Sequence, residues 1–94
     1  MNIDIKQRAN HRVKIIEGQC KALLKQIEDE AYCIDIMTQS LAVQRSLSSL
    51  NKLVMENHLR THVTDMLRSD DPETHDQAVE ELLRVYELGN VRSK

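Results

Sequence analysis

The sequence contains no Phe and no Trp, and it has only two Tyr, two Gly and one Pro among its 94 residues. Strands and tight turns draw on aromatic, Gly and Pro residues, so this scarcity argues against an all-β fold and favours an all-α one. A chain of this length buries only about two-thirds of its unfolded surface, and helices without large aromatics give a thin core. We therefore expect a partner subunit.

Several other features are also missing. The chain has no run of about eighteen apolar residues and no signal-like apolar stretch at its start, so we predict a cytoplasmic protein without a membrane partner. Its two cysteines, Cys20 and Cys33, are too few for a disulfide framework. It has no Gly-rich phosphate loop, no nucleophile elbow and no obvious paired carboxylates in a pocket, so an enzyme is not expected.

The charge of the chain is unevenly distributed. Its net charge is -2, which by itself argues against a polyanionic partner. Residues 1–25 nevertheless carry six basic side chains against two acidic ones, a balance of +4, and residues 26–94 carry a balance of -6. A basic segment on an acidic chain indicates a polyanion-binding face, although a solvated helix face would show the same run.

Apolar spacing predicts one domain over residues 1–94, with three helices at roughly 4–30, 33–68 and 72–88 and a tail at 89–94. The first helix has an apolar stripe on which Cys20 falls, so we expect a buried thiol there, with a ligand or redox role as the alternative. Gly18 in the same helix suggests a close helix crossing. Asp71 and Pro72 form a start signal for the third helix.

A possible metal-binding set lies along the second helix. His58 and His62 are four residues apart, so their rings project from one face, and Cys33 would add a thiolate. Solvated or core histidines with this spacing are the alternative. Cys33 and His58 are 25 residues apart on one predicted helix, or about 37 Å, which rules out a site within one protomer. Two antiparallel copies related by an axis near Ser46 would bring the three ligands together.

Four segments in this order resemble the CsoR/RcnR family of bacterial repressors: Arg12–Gln19, Tyr32–Ile36, Gln39–Gln44 and Asn57–Val63. The resemblance covers nearly the whole chain. It implies a three-helix protomer, an antiparallel four-helix bundle in the dimer, and a tetramer made of two dimers. It also implies a repressor that binds double-stranded operator DNA in the apo state and releases it when an inducer occupies the shared site.

The resemblance also implies residue roles. The metal ligands would be Cys33, His58 and His62, and the DNA contacts would come from Arg12, Lys14 and Lys21. Tyr32 and one of Glu80 or Glu81 would link a ligand histidine to the third helix, with a packing role for the tyrosine and a solvated face for the glutamates as the alternatives. His11 and His75 lie outside this set and are expected to be solvated, although His11 could touch a phosphate.

The inducer is inferred from the positions at which this sequence differs from the branches of the family. Copper sensors usually have Cys where this chain has His62, yet a Cys-His-His set still accepts Cu(I). The nickel/cobalt branch adds a His near the N-terminus, which is absent here, and the aldehyde branch uses an N-terminal proline amine. Cu(I) is therefore favoured, with Ni(II), Co(II) or Zn(II) next and formaldehyde third. Outside the family, a cytosolic metal-binding buffer is the competing function.

Overall fold

A computed structural model describes residues 1–89, and every regular element among them is a helix. The elements are α1 (Ile3–Glu28), α2 (Cys33–His58), a π-helical turn (Leu59–Val63), α3 (Thr64–Arg68) and α4 (Pro72–Gly89). No strand occurs in this part of the chain, which confirms the all-α prediction. The predicted tail beyond Gly89 lies outside the described residues.

The helices fall into two compact units. The first, Met1–Leu53, contains α1 and most of α2, and the second begins at Val54 and contains the end of α2, the π-helical turn, α3 and α4. Within residues 1–89, none of these helices is long and apolar enough to cross a membrane.

The ends of α1 are set by local hydrogen bonds. The Asn2 side chain accepts the Ile5 N–H at 2.8 Å and caps the first turn. At the other end Glu30 has a φ of 53°, in the left-handed region. The Glu30 N–H donates to the Ile27 carbonyl at 3.1 Å and the Ala31 N–H donates to the Gln26 carbonyl at 2.8 Å, which is the Schellman pattern of a helix stop. The left-handed residue ends α1 two residues before the predicted position.

The face of α1 that turns toward the interior of the first unit differs from the predicted stripe. Ile16 is buried, and the half-buried positions follow the same spacing of three and four: Ile5, Ala9, Arg12, Gln19, Leu23 and Gln26. Cys20 is exposed, so the prediction of a buried thiol was wrong. This stripe shares Ile5, Ala9, Ile16 and Leu23 with the predicted one, and it includes Arg12, whose side chain hydrogen-bonds to Ser49 of α2.

Polar contacts join α1 to α2. The Gln39 side-chain amide donates to the Gln19 carbonyl at 3.0 Å, and Arg12 donates to Ser49. A Cβ added at Gly18 would have no neighbouring atom within 4 Å in the described protomer, so nothing packs closely against this glycine. The close helix crossing expected at this glycine is therefore not made within one protomer.

The second predicted helix is interrupted. It was expected to run unbroken from residue 33 to 68, but the α-helical pattern stops at His58 and resumes at Thr64. The Thr64 N–H donates to the Leu59 carbonyl five residues earlier, and its hydroxyl donates to the same carbonyl at 2.7 Å. The Thr61 hydroxyl donates to the Asn57 carbonyl at 2.7 Å. Such hydroxyl bonds compete with the backbone ladder and accompany a widened turn, which apolar spacing does not reveal.

Helix α4 begins as predicted. Asp71 accepts the Glu73 N–H at 3.2 Å and the Thr74 hydroxyl at 3.0 Å, and Pro72 occupies the first helical position. Val63 and Ala78 are the buried apolar residues of the second unit, within the described range.

Much apolar surface stays exposed on the protomer. Ile34, Met37 and Leu41 of α2 are 40% or more exposed, and their spacing places them on the same helix face as Ser48. Ser46 and Ser49 instead line a small pocket with α1 residues. The dimer and the tetramer remain predictions.

Candidate metal site and basic residues

The π-helical turn brings the two candidate histidine ligands together. His58 is the last residue of α2 and His62 lies within the turn that follows. Their ring centroids are 5.2 Å apart with an interplanar angle of 37°. His58 is half-buried and His62 is exposed. The two imidazoles therefore face the same region, one fixed by its surroundings and the other open to solvent.

His58 is held by a glutamate of α4. Its Nε2 lies 2.8 Å from Oε1 of Glu81, and the two side chains are 29% and 35% exposed. Glu80, the other glutamate considered from the sequence, is exposed. Which of two adjacent glutamates reaches the histidine depends on the rotation of α4 about its axis, and the structure selects Glu81.

This contact determines what His58 can do chemically. A carboxylate at Nε2 favours the tautomer with its proton on that nitrogen, because the Nε2–H then donates to the carboxylate. The lone pair on Nδ1 is left available to a metal ion. A histidine oriented by a carboxylate in this way is suited to binding a metal ion, so the chemistry of His58 fits the ligand role predicted for it.

The third candidate ligand lies at the other end of α2. Cys33 is the first residue of that helix and is exposed. The carbonyl of Tyr32 accepts the Asp35 and Ile36 N–H groups at 2.9 and 3.2 Å, which starts the helix, while the tyrosine side chain is 70% exposed. A helix of 26 residues separates its first and last residues by about 37 Å at 1.5 Å per residue. Within residues 1–89, no three potential ligands of one chain gather at a single site.

Comparison with known families identifies the chain. The family model described as "Metal-sensitive transcriptional repressor" matches residues 5–87. The chain belongs to this family. The assignment confirms the resemblance seen in the sequence, and it agrees with the prediction that the protein is a repressor and not an enzyme.

Individual relatives of this repressor carry more specific names. The chain is 36% identical over 81 residues to the copper-sensing transcriptional repressor CsoR of Bacillus subtilis, covering 86% of this chain and 77% of that protein. It is 40% identical over 58 residues to CsoR of Mycobacterium ulcerans, covering 62% of this chain and 50% of that protein. It is also 34% identical over 61 residues to the copper-sensing transcriptional repressor RicR of Mycobacterium tuberculosis, covering 65% of this chain and 64% of that protein. The matched segment thus spans about half of the M. ulcerans relative.

A metal-sensitive repressor acts on DNA, and the basic residues of α1 divide into two groups. Arg8 and Lys25 lie 3.7 and 2.9 Å from carboxylates one helical turn away. In the described part of the repressor, Arg12, Lys14 and Lys21 have no carboxylate within 4.0 Å. The three residues that the resemblance assigned to DNA contact are therefore among those whose charge is not paired within the protomer.

Arg12 differs from the two lysines in its surroundings. Lys14 and Lys21 are exposed, whereas Arg12 is half-buried and its Nη1 donates to the carbonyl and hydroxyl of Ser49 at 2.6 and 2.7 Å. His11 is exposed and lines a pocket of about 280 Å³ with Arg12 and Ser49. Sequence reasoning missed the role of Ser49, since no local spacing connects residues 37 apart.

His75 is also not freely solvated, contrary to expectation. It is half-buried, and its Nε2 contacts the Ser69 carbonyl at the end of α3. The contact joins the loop before α4 to the first turn of that helix, so His75 helps to hold the start of α4.

Proposed function

We propose that this repressor senses copper: it binds operator DNA without metal and releases it when Cu(I) binds Cys33 of one protomer together with His58 and His62 of another. The observation that carries the proposal is the bond between Nε2 of His58 and Glu81, with the ring of His62 5.2 Å away. Relatives named as copper-sensing repressors support the choice of metal.

The ligand set supports Cu(I) on chemical grounds. A soft thiolate with two imidazoles suits a low-coordinate Cu(I) ion, while Zn(II), Ni(II) and Co(II) would require a further ligand. Formaldehyde, which would react at Cys33, is the remaining candidate inducer. The length of α2 supports a site shared between protomers, and a homodimer or a tetramer of two dimers would supply it.

The coupling to DNA is proposed to run through α4. His58, when ligated through Nδ1, loses electron density from its ring and donates a stronger hydrogen bond from Nε2 to Glu81. Because His58 ends α2 and Glu81 lies on α4, a stronger bond favours one arrangement of these two helices. The inducer then acts by differential affinity for two states, which requires a coupling of about 1–3 kcal/mol.

A complementation experiment tests the shared site. Protomers with Cys33→Ala and protomers with His58→Ala are each expected to lose Cu(I) binding. The two variants are mixed, unfolded and refolded together. An antiparallel dimer of one Cys33→Ala protomer and one His58→Ala protomer then contains one complete site and one site that lacks both the cysteine and His58. Partial recovery of high-affinity Cu(I) binding is therefore expected, read from thiolate charge-transfer absorption. No recovery would refute sharing, and retained binding by Cys33→Ala alone would refute the ligand set.

The repressor role is tested with the same proteins on DNA. The metal-free protein is used to select duplexes from a random double-stranded library, and anaerobic Cu(I) is then titrated into the complex. Release of the selected duplex by the wild type and retention by Cys33→Ala are expected. A protein that binds Cu(I) but selects no duplex would favour the competing function, a metal buffer.

A further inference from the structure

Arg12 is held by uncharged oxygen atoms. Its Nη1 donates to the Ser49 carbonyl at 2.6 Å and to the Ser49 hydroxyl at 2.7 Å. Both partners belong to α2, and the bond spans 37 residues of sequence. Because neither oxygen carries a charge, Arg12 is fixed in position without losing the positive charge that attracts a phosphate.

This fixation leaves one edge of the guanidinium group free. A guanidinium presents donors in a rigid fork and binds a phosphate best through two parallel bonds. With Nη1 committed to Ser49, the remaining pair is Nε and Nη2, which has no partner among the described residues. Arg12 lines a pocket with His11, Ile15, Ser46 and Ser49, and this lining contains no acidic residue. A phosphate that approaches Arg12 from this pocket would therefore meet no carboxylate in the lining.

We infer that Ser49 is a positioning residue for DNA binding: its hydroxyl and carbonyl hold Nη1 of Arg12 so that Nε and Nη2 present a preformed fork to a backbone phosphate. The inference rests on the proposed binding of operator DNA and on the DNA contact that the family resemblance implies for Arg12. A free arginine side chain has to be ordered when it binds, whereas one already held by Ser49 has less conformational freedom to lose.

The variants separate positioning from folding. Ser49→Ala removes the hydroxyl and keeps the carbonyl, Ser49→Thr restores a hydroxyl, and Ser48→Ala is the matched control on the exposed neighbour. Binding to a duplex selected by the metal-free wild-type protein is measured by fluorescence anisotropy over a series of salt concentrations. Cu(I) affinity is measured for every variant and is expected to be unchanged, since the site lies elsewhere on the chain.

Ser49→Ala is expected to weaken DNA binding by about five- to tenfold, which lies within the range of an ordinary single hydrogen bond, because the Ser49 carbonyl still holds Arg12. Its salt slope should match the wild type, because Arg12 still neutralises a phosphate. Arg12→Ala should lower the slope by about 0.9, the value of one phosphate contact. Ser49→Thr and Ser48→Ala should bind as the wild type does, and adding Ser49→Ala to Arg12→Ala should change nothing further.

Two results would overturn this inference alone. One is wild-type affinity in Ser49→Ala while Arg12→Ala binds weakly, and the other is an equal loss from Ser49→Ala with or without Arg12, which would mean a structural role. Failure of the proposed function gives different results. Either the metal-free protein selects no duplex, or Arg12→Ala leaves both the affinity and the salt slope unchanged.

Discussion

Replacing Glu30 with glycine should stabilise this protein. Glu30 has a φ of 53° in the turn that ends α1 and leads to Cys33. A residue with a Cβ pays about 1–2 kcal/mol in the left-handed region, which glycine does not. Glycine also makes the unfolded chain more flexible, which lowers the free energy of unfolding by about 0.5–1 kcal/mol. The net expectation for Glu30→Gly is a gain of about 0.5–1 kcal/mol in the free energy of unfolding.

Glu28→Gly provides the matched control. Glu28 is the last residue of α1 and is exposed like Glu30, so both variants lose one surface carboxylate. Glycine at a helical φ should instead destabilise by about 0.5–1 kcal/mol. Urea unfolding is followed by far-UV circular dichroism at one fixed protomer concentration, because assembly would make the midpoint depend on it.

The two variants should move the urea midpoint in opposite directions. With a slope of about 1–2 kcal/mol per molar, Glu30→Gly should raise it by about half a molar. If Glu30→Gly lowered the midpoint as much as Glu28→Gly does, Glu30 would not adopt the left-handed conformation and the account of the helix stop would be wrong.

Three more outcomes follow from individual contacts. Asp71→Ala should lose about 1 kcal/mol of stability by removing the α4 cap, and an unchanged thermal midpoint would contradict that role. Leu53 is 2% exposed, so Leu53→Ala should lower the free energy of unfolding by about 2–4 kcal/mol. Leu24 is 58% exposed, so Leu24→Ala should lower it by under about 0.5 kcal/mol, and a larger loss would mean that assembly buries this side chain. Glu81→Gln should reduce the effect of Cu(I) on DNA affinity by about tenfold and leave metal-free binding unchanged. Glu80→Gln is its control, and an equal effect there would refute coupling through the contact with His58.

Local sequence signals predicted the helical class and the start of α4, but not the interruption after His58. The scarcity of aromatic, Gly and Pro residues gave the helical class, and the Asp71-Pro72 pair gave the start of α4 at its observed residue. These signals are local, because a cap or a proline acts on the backbone within one turn. The end of α1 was less accurate, since a glutamate seldom marks a left-handed helix stop.

The candidate site was predicted as a set of residue types but not as an arrangement. Spacing along the chain gave Cys33, His58 and His62 and required two protomers for a common site. It did not reveal the π-helical turn, in which threonine hydroxyls bond to backbone carbonyls. Nor did it decide between Glu80 and Glu81, because neighbouring residues on a helix differ only in the direction they face.

The sequence by itself therefore determined the helical class, the start of α4, the basic segment and the chemical types of the candidate ligands, since each depends on composition or on residues close together in the chain. Tertiary structure alone decided which stripe of α1 faces α2, leaving Cys20 exposed and Arg12 bonded to Ser49. The physical reason is that helical periodicity specifies which residues share a face, while the choice of the face that is buried depends on what a distant segment offers to it.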